Sequence, residues 1–308
     1  MVSIPRTRRL SSLPPPPLTD PDFFTAAHWL AGGGEEPALA VLGVPFSGGS
    51  ISGGRMDVAP AAIREALLKF SSWSSDFEVN LQQLSVIDVG ELEPAADVTG
   101  TQERLSEASA AIGQQADVPM VVLGGDNSIT VGAARGMKAD GLLTFDAHHD
   151  CRDPSRGFTN GTPVRQLVDE GLEHVAQIGI HGFANAEPHA RWAREHGVNW
   201  FSADAVARRG VDSVLEEAMR TVLGSAKRIW VDFDIDVLDR AFAPGAPAAM
   251  PGGLSPADLT KAAFTLGRDR LVVGIDIVEV DPLADVSQIT VRNACAVFLA
   301  FACGVASR

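Results

Sequence analysis

The sequence predicts an α/β domain built on a parallel sheet with helices on both faces, and three observations carry that expectation. From residue 38 onward, short apolar runs alternate with amphipathic helical patterns, as they do where strands are joined by crossover helices. Two of the apolar runs end in clustered acidic residues, where the carboxyl ends of parallel strands gather their ligands. The chain has 308 residues, enough for a large core, and neither an internal repeat nor a linker divides it.

Residues 1–20 contain Arg6, Arg8 and Arg9 followed by Pro14 to Pro17, without an apolar core of signal-peptide length. They read as a flexible or extended polyproline lead-in to a single domain over 21–308. Strands are expected at 38–44, 84–89, 120–123, 141–145, 174–180, 198–201, 228–234 and 271–275. Helical patterns fall between them at 60–70, 102–115, 128–137, 163–171, 187–196, 203–208, 212–223 and 256–267, with a last helix near 288–303. No apolar run approaches the roughly 18–20 residues of a membrane span, so a soluble chain is expected. The net charge of −14 and the lack of a basic stripe argue against nucleic-acid binding. Cys151, Cys295 and Cys303 are few and form no CxxC, which points to a reducing, cytoplasmic compartment. Cys151 follows an acidic residue of interest but should point away from it and be structural.

The chemistry concentrates in two stretches. Val231 to Asp239 places Asp232, Asp234 and Asp236 at alternate positions of a strand-forming run, so the three carboxylates are expected on one face. Leu142 to Asp150 ends in Asp146, His148 and Asp150 with the same spacing. Buried carboxylates take up protons or find cations, and no Lys/Arg cluster accompanies these. A DxD alone is more often a strand-end cap or a surface charge; together with DxHxD after a second apolar strand it indicates a metal centre. Four carboxylates match the charge of two divalent ions, and oxygen-rich ligation with imidazole suits Mn²⁺. Such ions, about 3.5–4 Å apart, hold and activate a water.

The motifs GGDNS (Gly124 to Ser128), DAHHD (Asp146 to Asp150), DFDIDVLD (Asp232 to Asp239) and GIDIVEVDP (Gly274 to Pro282) resemble the signatures of the ureohydrolases, the arginase, agmatinase and formiminoglutamase superfamily, in order over about 38–305. The resemblance implies a three-layer α/β/α sandwich with an eight-stranded parallel sheet. It further implies Asp146 and Asp234 as carboxylates bridging two Mn²⁺ ions, Asp150 completing the ligands of the first ion, and His148 with Asp236 those of the second. Asp150 would also accept the proton of the attacking water, and Glu279 would hold the amidino group. Asn127 stands where the pattern has a histidine ligand for the more exposed metal; an amide oxygen is a weaker ligand, so that ion is expected to be loose or absent. His149 should lie on the opposite face and not replace it. Asp232 stands where the pattern has a small residue, without an assigned role. The glycine-rich stretch 43–55 has neither GK[ST] nor GxGxxG and resembles the family's mobile wall at the active-site mouth, with Arg55 and Arg64 structural or at an interface. The turn at Gly124 and Gly125 is expected to let backbone approach the metals. Homo-oligomers, trimers or hexamers, are what the family implies.

The substrate is read from the loop after DAHHD, which holds Arg152, Arg156 and Arg165. Three cations would repel a cationic guanidine, whereas arginine grips a carboxylate with two hydrogen bonds. Arg152 and the Thr159 to Pro163 element look most like the formiminoglutamase branch, and Asn160 occupies the place of an arginase histidine that assists the leaving amine. Ala184 and Asn185 fill a region that is acidic in arginases, and His181 is a candidate to line the pocket. The implied activity is hydrolysis of a C–N bond in a small anionic amidine, N-formimidoyl-L-glutamate, to glutamate and formamide in histidine breakdown. Two readings remain open here: a guanidino-acid hydrolase that releases urea, and a metal-depleted, non-catalytic member of the superfamily.

Overall fold

The computed structural model describes residues 4–8, 15–18, 20–34, 36–115 and 118–308. Its strands are β1 (Thr7–Arg8), β2 (Leu39–Gly43), β3 (Trp73–Ser74), β4 (Val79–Asn80), β5 (Val86–Leu92), β6 (Met120–Leu123), β7 (Gly141–Phe145), β8 (His174–Ile180), β9 (Asn199–Ser202), β10 (Ile229–Asp234) and β11 (Val272–Val278). Nine form one sheet in the order β1-β5-β2-β6-β11-β10-β7-β8-β9, and β3 pairs with β4 in a small hairpin. The eight expected strands are present and mutually parallel.

The ninth strand comes from the lead-in. β1 runs antiparallel to β5, with Thr7 opposite Leu92 and Arg8 opposite Glu91. The Arg8 guanidinium donates to Glu91 at 2.9 Å, which anchors the strand on the sheet edge. The carbonyl of Pro16 lies 3.0 Å from His28 Nε2. Residues 1–3, 9–14 and 19 of the lead-in lie outside the described residues.

Side-chain alternation sorts the sheet into two apolar layers. Val231 and Phe233 of β10 join the layer formed with helices Ala26–Gly32, Ala59–Ala66, Ala203–Arg209, Val211–Thr221, Pro256–Arg268 and Ile289–Ala306. Trp230 joins the opposite layer, with Val98–Gln115, Thr130–Gly136, Pro163–Asp169 and Glu187–Glu195. Phe145 and Phe233, partners in register, stack at 4.9 Å, and full burial of each contributes roughly 1.5–3 kcal/mol.

Helix Ile289–Ala306 departs from the expectation that no run reaches spanning length. It has 18 residues and a mean hydropathy of 1.7, so by length and composition it could cross a membrane. In the fold it is a core helix, largely buried against Pro256–Arg268. Gly267 and Gly304 make that crossing close: a Cβ on Gly304 would come within 2.3 Å of the Phe264 carbonyl oxygen.

The topology positions the site. β10 lies between β7 and β11, and β11 pairs with β6, so the carboxyl ends of four neighbouring strands open on one place. The four signature motifs follow these four strands.

Candidate functional site

Asp146 and His148 leave the end of β7, and Asp236 comes from a single 3₁₀ turn (Ile235–Val237) after β10. Asp236 therefore reaches the cluster from a turn and not, as alternation suggested, from the strand. Asp234 makes that turn by accepting a 2.9 Å hydrogen bond from the Asp236 N–H. Ligand atoms of Asp146, His148 and Asp236 lie within 4.8 Å of one another. His148 Nδ1 is 3.1 Å from Asp236 Oδ2 and 3.4 Å from Asp146 Oδ1. Asp150 and Asp234 adjoin the cluster, both within reach of the Asn127 amide nitrogen, at 2.7 and 3.5 Å.

The electrostatics favour a cation or protons among these carboxylates. Burial and neighbouring carboxylates push Asp150 and Asp234 well above the usual range. Burial raises Asp146 to about 6. Burial opposes charge on His148, but Asp236 and Asp146 outweigh it and raise the imidazole to about 12. Asp236, paired with that imidazole, is lowered despite burial. Asp146 Oδ2 is fully buried without a hydrogen-bond partner, an orphaned acceptor of the kind a metal satisfies. Oxygen donors joined by one imidazole fit Mn²⁺.

The Asn127 side chain is turned away from the ligand role. Its oxygen accepts from Thr130 Oγ1 at 2.8 Å, so the amide nitrogen faces Asp150. Asn127 thus serves the carboxylates as a donor, where the family histidine would offer a lone pair.

Asp150 and Glu279 both have left-handed backbones, with φ of 50° and 61°; for residues with a Cβ this conformation is strained and clusters at functional sites. Burial, reinforced by Asp126, raises Glu279 to about 8. Its Oε1 accepts from the Asn127 backbone N–H at 2.8 Å and from Asn160 Nδ2 at 3.0 Å. A Cβ on Gly125 would meet the Phe46 carbonyl oxygen at 1.7 Å, so the glycine turn also gives the glycine-rich loop its clearance.

The cleft above the cluster is lined by His148, Asp150, Asp234, Asp236, Arg152, Asn160, Ile51, Ser52, Ala184, Asn185 and His189 among others. Asp146 and Glu279 are buried and do not line this cleft. Arg152 is exposed and forms no ion pair among the described residues. Arg165 instead sits near Asp153 and Asp169 and over the Trp192 ring. His181 is not on the cleft wall; it bonds the Pro251 carbonyl at 2.8 Å and accepts from the Phe183 N–H. His189, in the first turn of Glu187–Glu195, lines the cleft in its place and was not singled out from sequence. Asn185 was also missed as an organiser: it accepts from the His149 N–H and donates to the Ala147 carbonyl, holding the DAHHD loop. His149 faces away, bonded to Gln177 at 2.8 Å and edge-on to Trp200. Cys151 is buried, its thiol pushed up by burial. Arg64 bonds both oxygens of Asp88, and Arg55 pairs with Asp57.

Asp232 is opposite Asp276 in the β10–β11 register. Burial and its hydrogen bond to Asp276 raise Asp232 well above the usual range, while Trp230 Nε1 donates to Asp276 at 3.0 Å. Burial and the facing carboxylate of Asp276 both favour the neutral form of Asp232. Asp232→Asn, which keeps a donor of the same shape, should change the unfolding free energy by less than about 1 kcal/mol in urea titrations; a loss above about 3 kcal/mol would mean that the ionised form is needed.

Residues 37–304 match the Arginase family. The formimidoylglutamase of Halalkalibacterium halodurans is 38% identical over 85% of each chain. The crystal structure of formimidoylglutamase from Bacillus subtilis superposes with a TM-score of 0.88, covering 97% of this chain and 95% of that one at 32% identity. The Trypanosoma cruzi formiminoglutamase structure with Mn²⁺ gives a TM-score of 0.82 at 26% identity, over 89% of this chain and 95% of that one. The motifs and these matches agree, and the chain belongs to the arginase family.

Proposed function

We propose that this chain is a Mn²⁺-dependent hydrolase of a linear amidine that carries carboxylates, with N-formimidoyl-L-glutamate as substrate and L-glutamate and formamide as products. The observation that carries the choice of substrate is Arg152, a cation without an acidic partner among the described residues, on the wall of the same cleft as Asp150, Asp234 and Asp236. Relatives named formimidoylglutamase, at 38% and 34% identity, support the reading.

Asp146, His148, Asp234 and Asp236 would hold Mn²⁺ most tightly, with a second, weaker position at Asp146, Asp150 and Asp234, where Asn127 offers no oxygen; bound there, the metal would supply Lewis acidity that brings a water's pKa toward about 7. Asp150, open to the cleft, accepts the proton that the water gives up as its oxygen bonds to the amidine carbon. The C–N bond to the glutamate nitrogen then breaks, its electron pair stays on that nitrogen, and the proton passes to it. Glu279, with one oxygen fixed by two N–H donors, keeps the other for the nitrogens of the amidine. Arg152 binds a carboxylate, and Ala184 and Asn185 leave no acid to repel the substrate. A cytoplasmic homo-oligomer, trimer or hexamer, belongs to the same proposal.

The test is metal content and product analysis on one Mn²⁺-loaded preparation. Formamide and glutamate should appear in equal amounts from formimidoylglutamate. Urea from a guanidino acid, without formamide, would move the assignment to the guanidino-acid branch; no turnover of either with any divalent metal would leave a non-catalytic member of the family.

A further inference from the structure

Asn160 joins two separate parts of the cleft through its own amide groups. Its backbone N–H donates to the Gly49 carbonyl at 2.9 Å, its Oδ1 accepts from the Ile51 N–H at 3.1 Å, and its Nδ2 donates to Glu279 Oε1 at 3.0 Å. The first two bonds hold the glycine-rich loop; the third holds a buried acid 119 residues away.

We propose that Asn160 is a positioning residue that couples the seating of the glycine-rich loop to the orientation of the Glu279 carboxylate. Glycine at 48, 49, 53 and 54 leaves that loop with wide conformational freedom, so its place over the cleft depends on ties from outside. Asp126 supplies one, accepting from the Gly49 N–H at 2.8 Å. Asp281 supplies another at the far end of the loop, accepting from the Arg55 N–H at 3.0 Å, and Asn160 supplies two more, on the side where Ile51 and Ser52 form the cleft wall. On Glu279, the N–H groups of Asn160 and Asn127 converge on the same oxygen. Two donors on one oxygen set the rotation of the carboxylate and leave Oε2 without a protein donor among the described residues. Loosening the loop removes the acceptor side of Asn160 from its place and so releases one of the two donors on Glu279. The catalytic part of this inference rests on the proposed amidine hydrolysis; the structural part does not.

Two variants of the Mn²⁺-loaded protein separate the bonds. Asn160→Ala removes both side-chain contacts, so hydrogen–deuterium exchange should become about tenfold faster at the Ile51 amide, which loses its acceptor, and faster at the Asn127 amide, whose acceptor Glu279 loses the second donor that fixes it. Asn160→Asp keeps an oxygen for Ile51 but turns an oxygen toward Glu279. Assayed at pH 9, where the new carboxyl is ionised, it should keep the Ile51 amide protected and lose about tenfold in kcat, with KM changed less. A residue that only staples the loop would leave kcat of Asn160→Asp at the parent value, and that result overturns the proposal. Parent-like exchange at Ile51 and Asn127 in Asn160→Ala overturns it as well. If the parent does not hydrolyse formimidoylglutamate, the proposed function fails, while the exchange data still decide whether Asn160 links loop and carboxylate.

Discussion

Asp234→Ala is expected to abolish Mn²⁺ uptake and turnover together while leaving the metal-free fold standing. Asp234 is 3% exposed at the end of a central strand and is surrounded by Asp146, Asp236 and Glu279, whose charges add to burial in raising it. Without cations its carboxylate is therefore a source of repulsion. Its compensating role is the hydrogen bond from the Asp236 N–H, whose loss costs about 1 kcal/mol. These opposing effects keep the unfolding free energy in EDTA within about 2 kcal/mol of the parent. In excess Mn²⁺ the two proteins should diverge, because a ligand at 100 times its Kd stabilises the native state by about 2.7 kcal/mol and the variant lacks a carboxylate of the proposed ligand set. Thermal unfolding with and without Mn²⁺, with metal analysis after dialysis, reads both effects. A variant that is still stabilised by Mn²⁺ and still turns over substrate would remove Asp234 from the ligand set.

The parts of this molecule that were legible in the sequence are those that depend on local pattern. β6, β7 and β8 are placed to the residue, because each apolar run is bounded by turn-forming or polar residues. β5 and β11 run further than expected because the apolar pattern meets Glu91 and Asp276, and a buried acid in a strand looks like its end. What lets these strands continue is distant: Arg8 for Glu91, Trp230 for Asp276. β1 has only two residues and depends on the same ion pair.

The site divides in the same way. Asp146, His148, Asp234 and Asp236 stand close in sequence to strand ends and were recognisable there. The direction of the Asn127 amide is decided by Thr130, and the placement of Glu279 by Asn160, neither of which a motif encodes. The choice between His181 and His189 also rests on contact: the Pro251 carbonyl occupies His181, while the first turn of a helix presents His189 to the cleft. Among the arginines a local signal was available. Asp169 lies four residues after Arg165, the spacing of a helical ion pair, and marks Arg165 as engaged, whereas Arg152 has no acid at that distance.

Arg152→Ala is expected to raise KM for formimidoylglutamate about 10- to 100-fold with kcat nearly unchanged, since hydrogen bonds to a charged group contribute roughly 1.5–3 kcal/mol. The side chain is held over the cleft by local geometry. The Arg152 N–H donates to the Gly161 carbonyl at 2.9 Å, and the arginine runs so close over Gly161 that a Cβ there would lie 2.5 Å from its Cδ. Its guanidinium therefore reaches the cleft without an internal carboxylate to neutralise it, in a protein of net charge −14. A carboxylate remote from the reacting carbon is bound equally in the ground and transition states, so its loss appears in KM and leaves kcat in place. Arg152→Lys should fall between the parent and alanine, keeping the charge but losing the two-pronged contact. Steady-state kinetics on the three proteins under saturating Mn²⁺ make the comparison. An alanine variant with the parent's KM would take Arg152 out of the substrate site, and a fall in kcat alone would place it in the chemistry of bond cleavage.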